Sequence, residues 1–107
     1  MMMVNVLGTD YSIEESDKLN DLNLEGCGGY CDYTVKKIVV DTFIETPNSV
    51  QDLTEFRKQV IRHELVHAFL NESGLNCESW GRNEEIVDWI AYQFPKMLKA
   101  FKETDSI

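Results

Sequence analysis

"VIRHELVHAF", residues 60–69, lies inside a run without glycine or proline that follows Pro47 and ends at Gly74. Glycine and proline are the residues that most often interrupt or terminate a helix, so the run predicts a helix over residues 48–73. Two residues at its start have side chains that can cap free backbone N–H groups, Asn48 or Ser49. This long helix is the element around which the remaining chain must be arranged.

Apolar residues fall on two faces of this helix when they are placed about 100° apart. One face carries Phe56, Val60, His63, His67 and Leu70. Roughly the opposite face carries Ile61, Leu65, Ala68 and Phe69. Among the residues that flank His63, Glu64 and His67 in this stretch, only Arg62 is charged. A helix with two apolar faces must be covered on two sides, so we expect it to lie between a sheet and a second helix.

The first half of the chain is typical of strands. "MVNVLG" (3–8) and "KIVVDTF" (37–43) are rich in β-branched residues, and "CGGYCDY" (27–33) is a third candidate. "TVKK" (34–37) would connect the last two as a hairpin. A short helical turn is expected in "IEESDKLNDL" (13–22).

A second helix is expected over residues 83–103, with Asn83 as its cap. Its apolar residues are Ile86, Val87, Trp89, Ile90 and Phe94. Pro95 cannot donate a backbone hydrogen bond, so it should kink the helix or restart it as "PKMLKAFKET".

The length of 107 residues suits one compact domain, residues 1–107. Its strand-rich half would cover residues 1–45, followed by the two helices. The sequence thus predicts an α+β fold with an antiparallel or mixed three-stranded sheet.

Composition argues against several classes of partner. With 43% hydrophobic and 27% charged residues, the chain resembles an ordinary globular protein. Its formal charge of −9 opposes binding to nucleic acids and anionic membrane surfaces. The start has no signal-peptide pattern and no apolar stretch is long enough to span a bilayer, so the cytoplasm is the expected location.

The three cysteines, Cys27, Cys31 and Cys77, are an odd number in an expected reducing location. "CGGYC" has three residues between its cysteines and no second pair follows, so free thiols are favoured over a metal or redox pair.

His63 and His67 are four residues apart, so their rings project from one helix face within reach of a single ion. Neutral imidazole suits zinc. Glu64 lies about 100° round the helix from His63, where a carboxylate can take a proton from a water whose pKa the metal lowers. A catalytic zinc needs a third protein ligand, and with no third histidine this must be a carboxylate or a cysteine.

The stretch "NEEIVDW" (83–89) offers that carboxylate. Glu84 and Asp88 share one face of the second helix, so Glu84 could bind the metal while Asp88 accepts a hydrogen bond from a ligand histidine. Glu85 is the alternative ligand. Glu84 is favoured because it alone has an aspartate four residues later.

"HELVH" followed by "NEEIVD" resembles the gluzincin clan of zinc metallopeptidases, whose pattern is HExxH on one helix and ExxxD on the next. The size of the chain is similar to that of the single-domain minigluzincins. The resemblance implies a zincin-like fold and one Zn²⁺ per chain held by His63, His67 and Glu84. Glu64 would be the general base, activating a zinc-bound water that attacks a peptide bond, and Asp88 would orient a ligand.

The resemblance also implies an extended peptide or protein substrate, bound by strand addition to an edge strand, either "CGGYCDY" or "KIVVDTF". In minigluzincins a C-terminal segment can occupy the cleft and keep the enzyme latent, a role open here to "FKETDSI" (101–107). Gluzincins commonly use a Tyr or His to stabilise the oxyanion, and this chain has none between His67 and Glu84. The candidates elsewhere are Tyr30, Tyr33, Arg82 and Tyr92.

Three functions therefore remain open. The first is a zinc metallopeptidase. The second is a zinc-binding structural or regulatory module without peptidase activity, and the third is a metal-free helical interaction domain.

Overall fold

A computed structural model describes residues 1–43, 52–75 and 79–107 of the chain. Its strands are β1 (Met2–Val6), β2 (Thr9–Ser16), β3 (Gly29–Asp32) and β4 (Lys37–Asp41). Its helices are α1 (Leu53–Glu72) and α2 (Glu84–Glu103), with short 3-10 helices at Leu22–Leu24 and Trp80–Arg82. The architecture is α+β, as predicted, with the strands before both long helices.

The sheet has the strand order β1-β2-β4-β3 and is mixed. β1 and β2 are antiparallel, as are β3 and β4, whereas the two inner strands β2 and β4 are parallel. Ile38 of β4 pairs with Ile13 of β2 on one side and with Cys31 of β3 on the other. The prediction of three strands is therefore wrong by one, because β2 was not foreseen.

β2 also replaces part of the helical turn expected over residues 13–22. Ile13 to Ser16 pair with β4, and helical geometry begins only at Leu22. The apolar signal of β2 is weak, since Tyr11 and Ile13 are its only large apolar residues, and both are buried. The three predicted strands and the hairpin connection between β3 and β4 are confirmed.

The main core lies between the sheet and α1. Its buried members are Val6, Tyr11, Ile13, Ile38, Val40 and Ala68. Val60, Ile61 and Leu65 of α1 pack against them. Phe69, expected on the same face as Ala68, is instead 42% exposed, because it lies at the margin of that face, about 80° from Ile61.

α1 begins after Asp52, whose side chain accepts a hydrogen bond from the N–H of Glu55. The predicted caps Asn48 and Ser49 lie outside the described residues. The helix ends as predicted. Ser73 follows it and Gly74 adopts a positive φ of 79°, a conformation that costs glycine little.

α1 packs against β1, β3 and β4 and also against α2, which confirms its predicted position between the sheet and the second helix. Asn83 caps α2 as predicted, by accepting a hydrogen bond from the N–H of Ile86. α2 continues through Pro95 to Glu103, so of the two alternatives for the proline, a kink or a restart, the restart does not occur. None of the helices in the described ranges is long and apolar enough to cross a membrane.

Candidate metal centre

Three possible metal ligands from two helices converge at one point. His63 and His67 come from α1, and Glu84 comes from the first turn of α2. One donor atom from each lies within 4.8 Å of the others. The Glu84 carboxylate spans both rings, with Oε2 at 3.1 Å from Nε2 of His63 and Oε1 at 2.8 Å from Nε2 of His67.

The donor set suits zinc. Two donors that each lie about 2.1 Å from a tetrahedral Zn²⁺ are separated by about 3.4 Å, and the three donor atoms here lie within 4.8 Å of one another. Two imidazoles and one carboxylate leave a fourth position for a catalytic ligand. Burial lowers the pKa of His67, although Glu84 opposes this, so the neutral ring that can bind a metal is favoured.

Asp88 lies one turn after Glu84 and contacts the remaining nitrogen of His63. Its Oδ1 is 3.2 Å from Nδ1 of that ring. Such a contact favours the tautomer that carries its proton on Nδ1, which leaves Nε2 free to bind a metal. In the described part of the chain, Glu85 has no hydrogen bond or ion pair with either histidine, and the geometry therefore favours Glu84 as the third ligand.

Glu64 is a buried carboxylic acid beside these ligands. It is only 7% exposed. Burial raises its pKa to about 7, with the Glu84 carboxylate adding to the rise and His63 opposing it. A carboxyl group with a pKa near 7 can both accept and return a proton near neutral pH.

A cleft of about 900 Å³ opens beside the two histidines. Gly29 and Cys31 of β3 line it together with residues of α1 and the first turn of α2. β3 is an edge strand, whereas β4 is paired on both sides. Of the two stretches given as alternatives for the edge strand, "CGGYCDY" contains the edge strand β3, whereas "KIVVDTF" contains the inner strand β4.

The four candidates for an oxyanion donor differ in position. Tyr30, Tyr33 and Arg82 line the cleft, whereas Tyr92 does not. The hydroxyl of Tyr30 donates to Asp21, and burial together with this carboxylate raises the pKa of Tyr30 to about 12. Since its hydroxyl proton is already engaged, Tyr33 and Arg82 are the more available donors.

The C-terminal tail lies far from the cleft in this conformation. α2 is 20 residues long, so its end is about 30 Å from Glu84 along the helix axis. The N–H of Ser106 donates back to the carbonyl of Phe101. None of the cleft-lining residues comes from the tail, so "FKETDSI" does not occupy the cleft in this conformation.

Cys27 and Cys31 are free thiols, in agreement with the sequence, and Cys77 lies outside the described residues. Cys31 is half-buried near Glu64, and burial raises its pKa to about 12, with Glu64 adding to the rise. Cys31 is not among the residues whose donor atoms converge at the site.

The part that Gly29 plays in the close contact between β3 and α1 was not predicted from the sequence. A Cβ on Gly29 would lie 3.0 Å from Cγ1 of Val60 and 3.5 Å from Cγ of Glu64. Glycine inside a strand is a known signal for close approach of another element. The glycine pair at residues 28–29 is consistent with such an approach, but the sequence does not show that α1 is the approaching element.

Comparison of the chain with protein-family models, with curated proteins and with solved structures gave no match. Any functional inference therefore depends on the site itself.

Proposed function

We propose that this protein is a zinc-dependent metallopeptidase that hydrolyses peptide bonds. The observation that carries the proposal is the convergence of His63, His67 and Glu84 beside the buried carboxyl group of Glu64. A metal-ligand triad can be structural, but a buried acid with a pKa near 7 next to it is typical of a catalytic site.

In this proposal the two histidines and Glu84 would hold one Zn²⁺, which when bound lowers the pKa of a water molecule and polarises a carbonyl oxygen. Glu64 accepts a proton at its carboxylate and returns it to the leaving amine. Asp88 holds His63 with Nε2 directed at the ligand cluster. Burial lowers the pKa of His67 and so favours its neutral, metal-binding form.

An extended peptide is the proposed substrate. β3 is an edge strand and lines the cleft, so its unpaired backbone groups can hydrogen-bond a peptide laid alongside it. This pairing recognises the backbone of the substrate and does not depend on its side chains. Tyr33 and Arg82 at the cleft are the proposed donors to the carbonyl oxygen under attack.

A zinc-binding structural module is the second candidate. The ligands come from both α1 and α2, so a bound ion would tie the two helices together whether or not chemistry follows. In the described residues neither Tyr33 nor Arg82 has a side-chain hydrogen bond that holds it in position in the cleft. This candidate requires zinc binding without peptide hydrolysis.

Three glutamine variants separate these functions. We expect Glu64→Gln to keep one zinc per chain, measured by elemental analysis, and to lose about 100-fold or more of the hydrolysis rate on a mixed peptide library. Glu84→Gln should lose zinc as well as activity. Glu85→Gln is the matched control, one residue away and outside the ligand cluster, and should change neither.

Unchanged cleavage by the Glu64→Gln variant would contradict the proposed base. A wild-type protein that binds zinc but cleaves no peptide, also without residues 104–107, would favour the structural module. Absence of zinc binding by the wild type would exclude both.

A further inference from the structure

Two residues break the patterns around them. Arg62 is the one charged residue in the stretch from Val60 to Phe69 apart from Glu64 and the histidines. Pro95 sits inside α2, a helix that nevertheless continues for two more turns. Neither residue has a part in the proposed chemistry, and each carries an energetic cost where it stands.

The cost of Pro95 falls on Ala91. In an α-helix the N–H of residue 95 would donate to the carbonyl of residue 91, and proline has no N–H. Ala91 is fully buried against the rest of the protein. A buried carbonyl without a donor is strongly unfavourable, so the helix needs a replacement from outside itself.

Arg62 supplies that replacement. Its Nε donates to the carbonyl oxygen of Ala91 at 2.6 Å. The bond links α1 to α2 and involves a charged donor, which makes it stronger than a bond between neutral groups. Pro95 thus removes the helical donor to the Ala91 carbonyl, and Arg62 supplies the donor that replaces it.

The contact lies beside the metal ligands. Arg62 directly precedes His63, and Ala91 follows Asp88 by three residues, about 4.5 Å along the helix axis. The hydrogen bond therefore fixes the approach of α1 to α2 within one turn of the contact between His63 and Asp88. A change in this approach would separate the histidines from Glu84.

We propose that Arg62, acting on the carbonyl freed by Pro95, is a positioning residue that holds α2 at the distance the metal ligands require. The effect on zinc affinity rests on the proposed function. The hydrogen bond and its dependence on Pro95 do not, so they can be tested without metal.

The metal-free test is a double-mutant cycle on stability. Arg62→Met keeps the aliphatic part of the side chain and removes every donor, whereas Pro95→Ala restores the missing N–H. In urea titrations with EDTA present, we expect R62M to raise the unfolding equilibrium constant about tenfold in the wild type and by much less in the P95A background. Lys58→Met, one turn earlier on α1, controls for loss of a positive charge.

An equal effect of R62M in both backgrounds would overturn the proposal. If R62M alone does not fold, P95A is expected to restore folding. A double variant that also fails to fold would contradict the proposal equally.

The metal test measures zinc affinity under conditions where every variant is folded. We expect R62M to weaken zinc binding about tenfold and P95A to recover most of the loss. The absorption spectrum of the Co²⁺-substituted protein should change with R62M and return with the double variant. If R62M lowers stability but leaves the zinc affinity and the Co²⁺ spectrum unchanged, Arg62 is only structural and the proposal is overturned. A wild type that binds no zinc would contradict the proposed function, whereas the stability cycle would still test the hydrogen bond.

Discussion

Gly29 determines how closely β3 approaches the helix that carries the histidines. A Cβ at this position would lie 2.9 Å from the carbonyl oxygen of Val39 and 3.0 Å from Cγ1 of Val60. Both distances are too short for unstrained contact. The absence of a side chain at Gly29 is therefore what allows β3 to cover the stem of Glu64 and keep its carboxyl group buried.

We expect Gly29→Ala to destabilise the protein by about 1–3 kcal/mol, because the added methyl group overpacks the space between β3 and α1. The loss is measured as a lower urea midpoint with an unchanged slope. Val35→Ala, in the exposed turn after β3, is the control and should have little effect. A Gly29→Ala variant as stable as the wild type would show that β3 can move away at no cost.

For single residues, the sequence indicated which side chains share a helix face better than it indicated their contacts. The spacing of His63 and His67 depends only on helix geometry, so their position on one face of α1 could be predicted. The bond from Arg62 could not, because its acceptor is a backbone carbonyl and every residue type carries one.

The C-terminal end of α1 is tied to the sheet by Glu72. Its carboxylate accepts from the hydroxyl of Tyr11 at 2.7 Å and from the amine of Lys36 at 3.0 Å. Hydrogen bonds from Thr9, Tyr11 and Lys36 lower the pKa of Glu72 from 4.5 to about 2. Because the folded state favours the ionised form, this group stabilises the protein above its ordinary pKa, and the stabilisation is lost as the pH falls toward 2.

We expect Glu72→Gln to lower stability at pH 7 and to flatten the decline in stability between about pH 5 and pH 2. Thermal unfolding across this pH range measures both effects. Glu55→Gln is the control, because Glu55 is exposed and pairs with Lys58 at the surface. If the two variants have the same pH profile, the contacts to Glu72 do not stabilise the fold.

The elements themselves were predictable where local signals were strong. Asn83 and Gly74 mark helix ends through backbone geometry that involves only their neighbours. β2 was missed because Glu14, Glu15 and Ser16 resemble a polar helix start, and only pairing with β4 makes them a strand. Likewise, the edge position of β3 follows from strand order, which no local pattern encodes.

In the whole molecule, the proposed metal would hold α1 and α2 together. We expect zinc to raise the midpoint of thermal unfolding of EDTA-treated protein, because the folded state alone brings the three ligands together. At a free zinc concentration 100 times the dissociation constant, the gain is about 2.7 kcal/mol. Differential scanning calorimetry with and without zinc measures it.

His67→Ala is the variant that should abolish this gain, since it removes one of the three donors. Glu85→Gln should retain it. An equal rise in the two variants would mean that zinc stabilises the protein at some other place.

The two sides of the candidate metal centre differ in their access to water. The side chains of His63 and His67 are 20% and 22% exposed, whereas those of Glu84 and Asp88 are 67% and 64% exposed. An ion could therefore enter and leave past the carboxylates without unfolding of the histidine helix. Small movements of the first turn of α2 would then be enough for metal exchange. The zinc content of the protein would therefore depend on the surrounding free zinc concentration and not on the ion bound during folding.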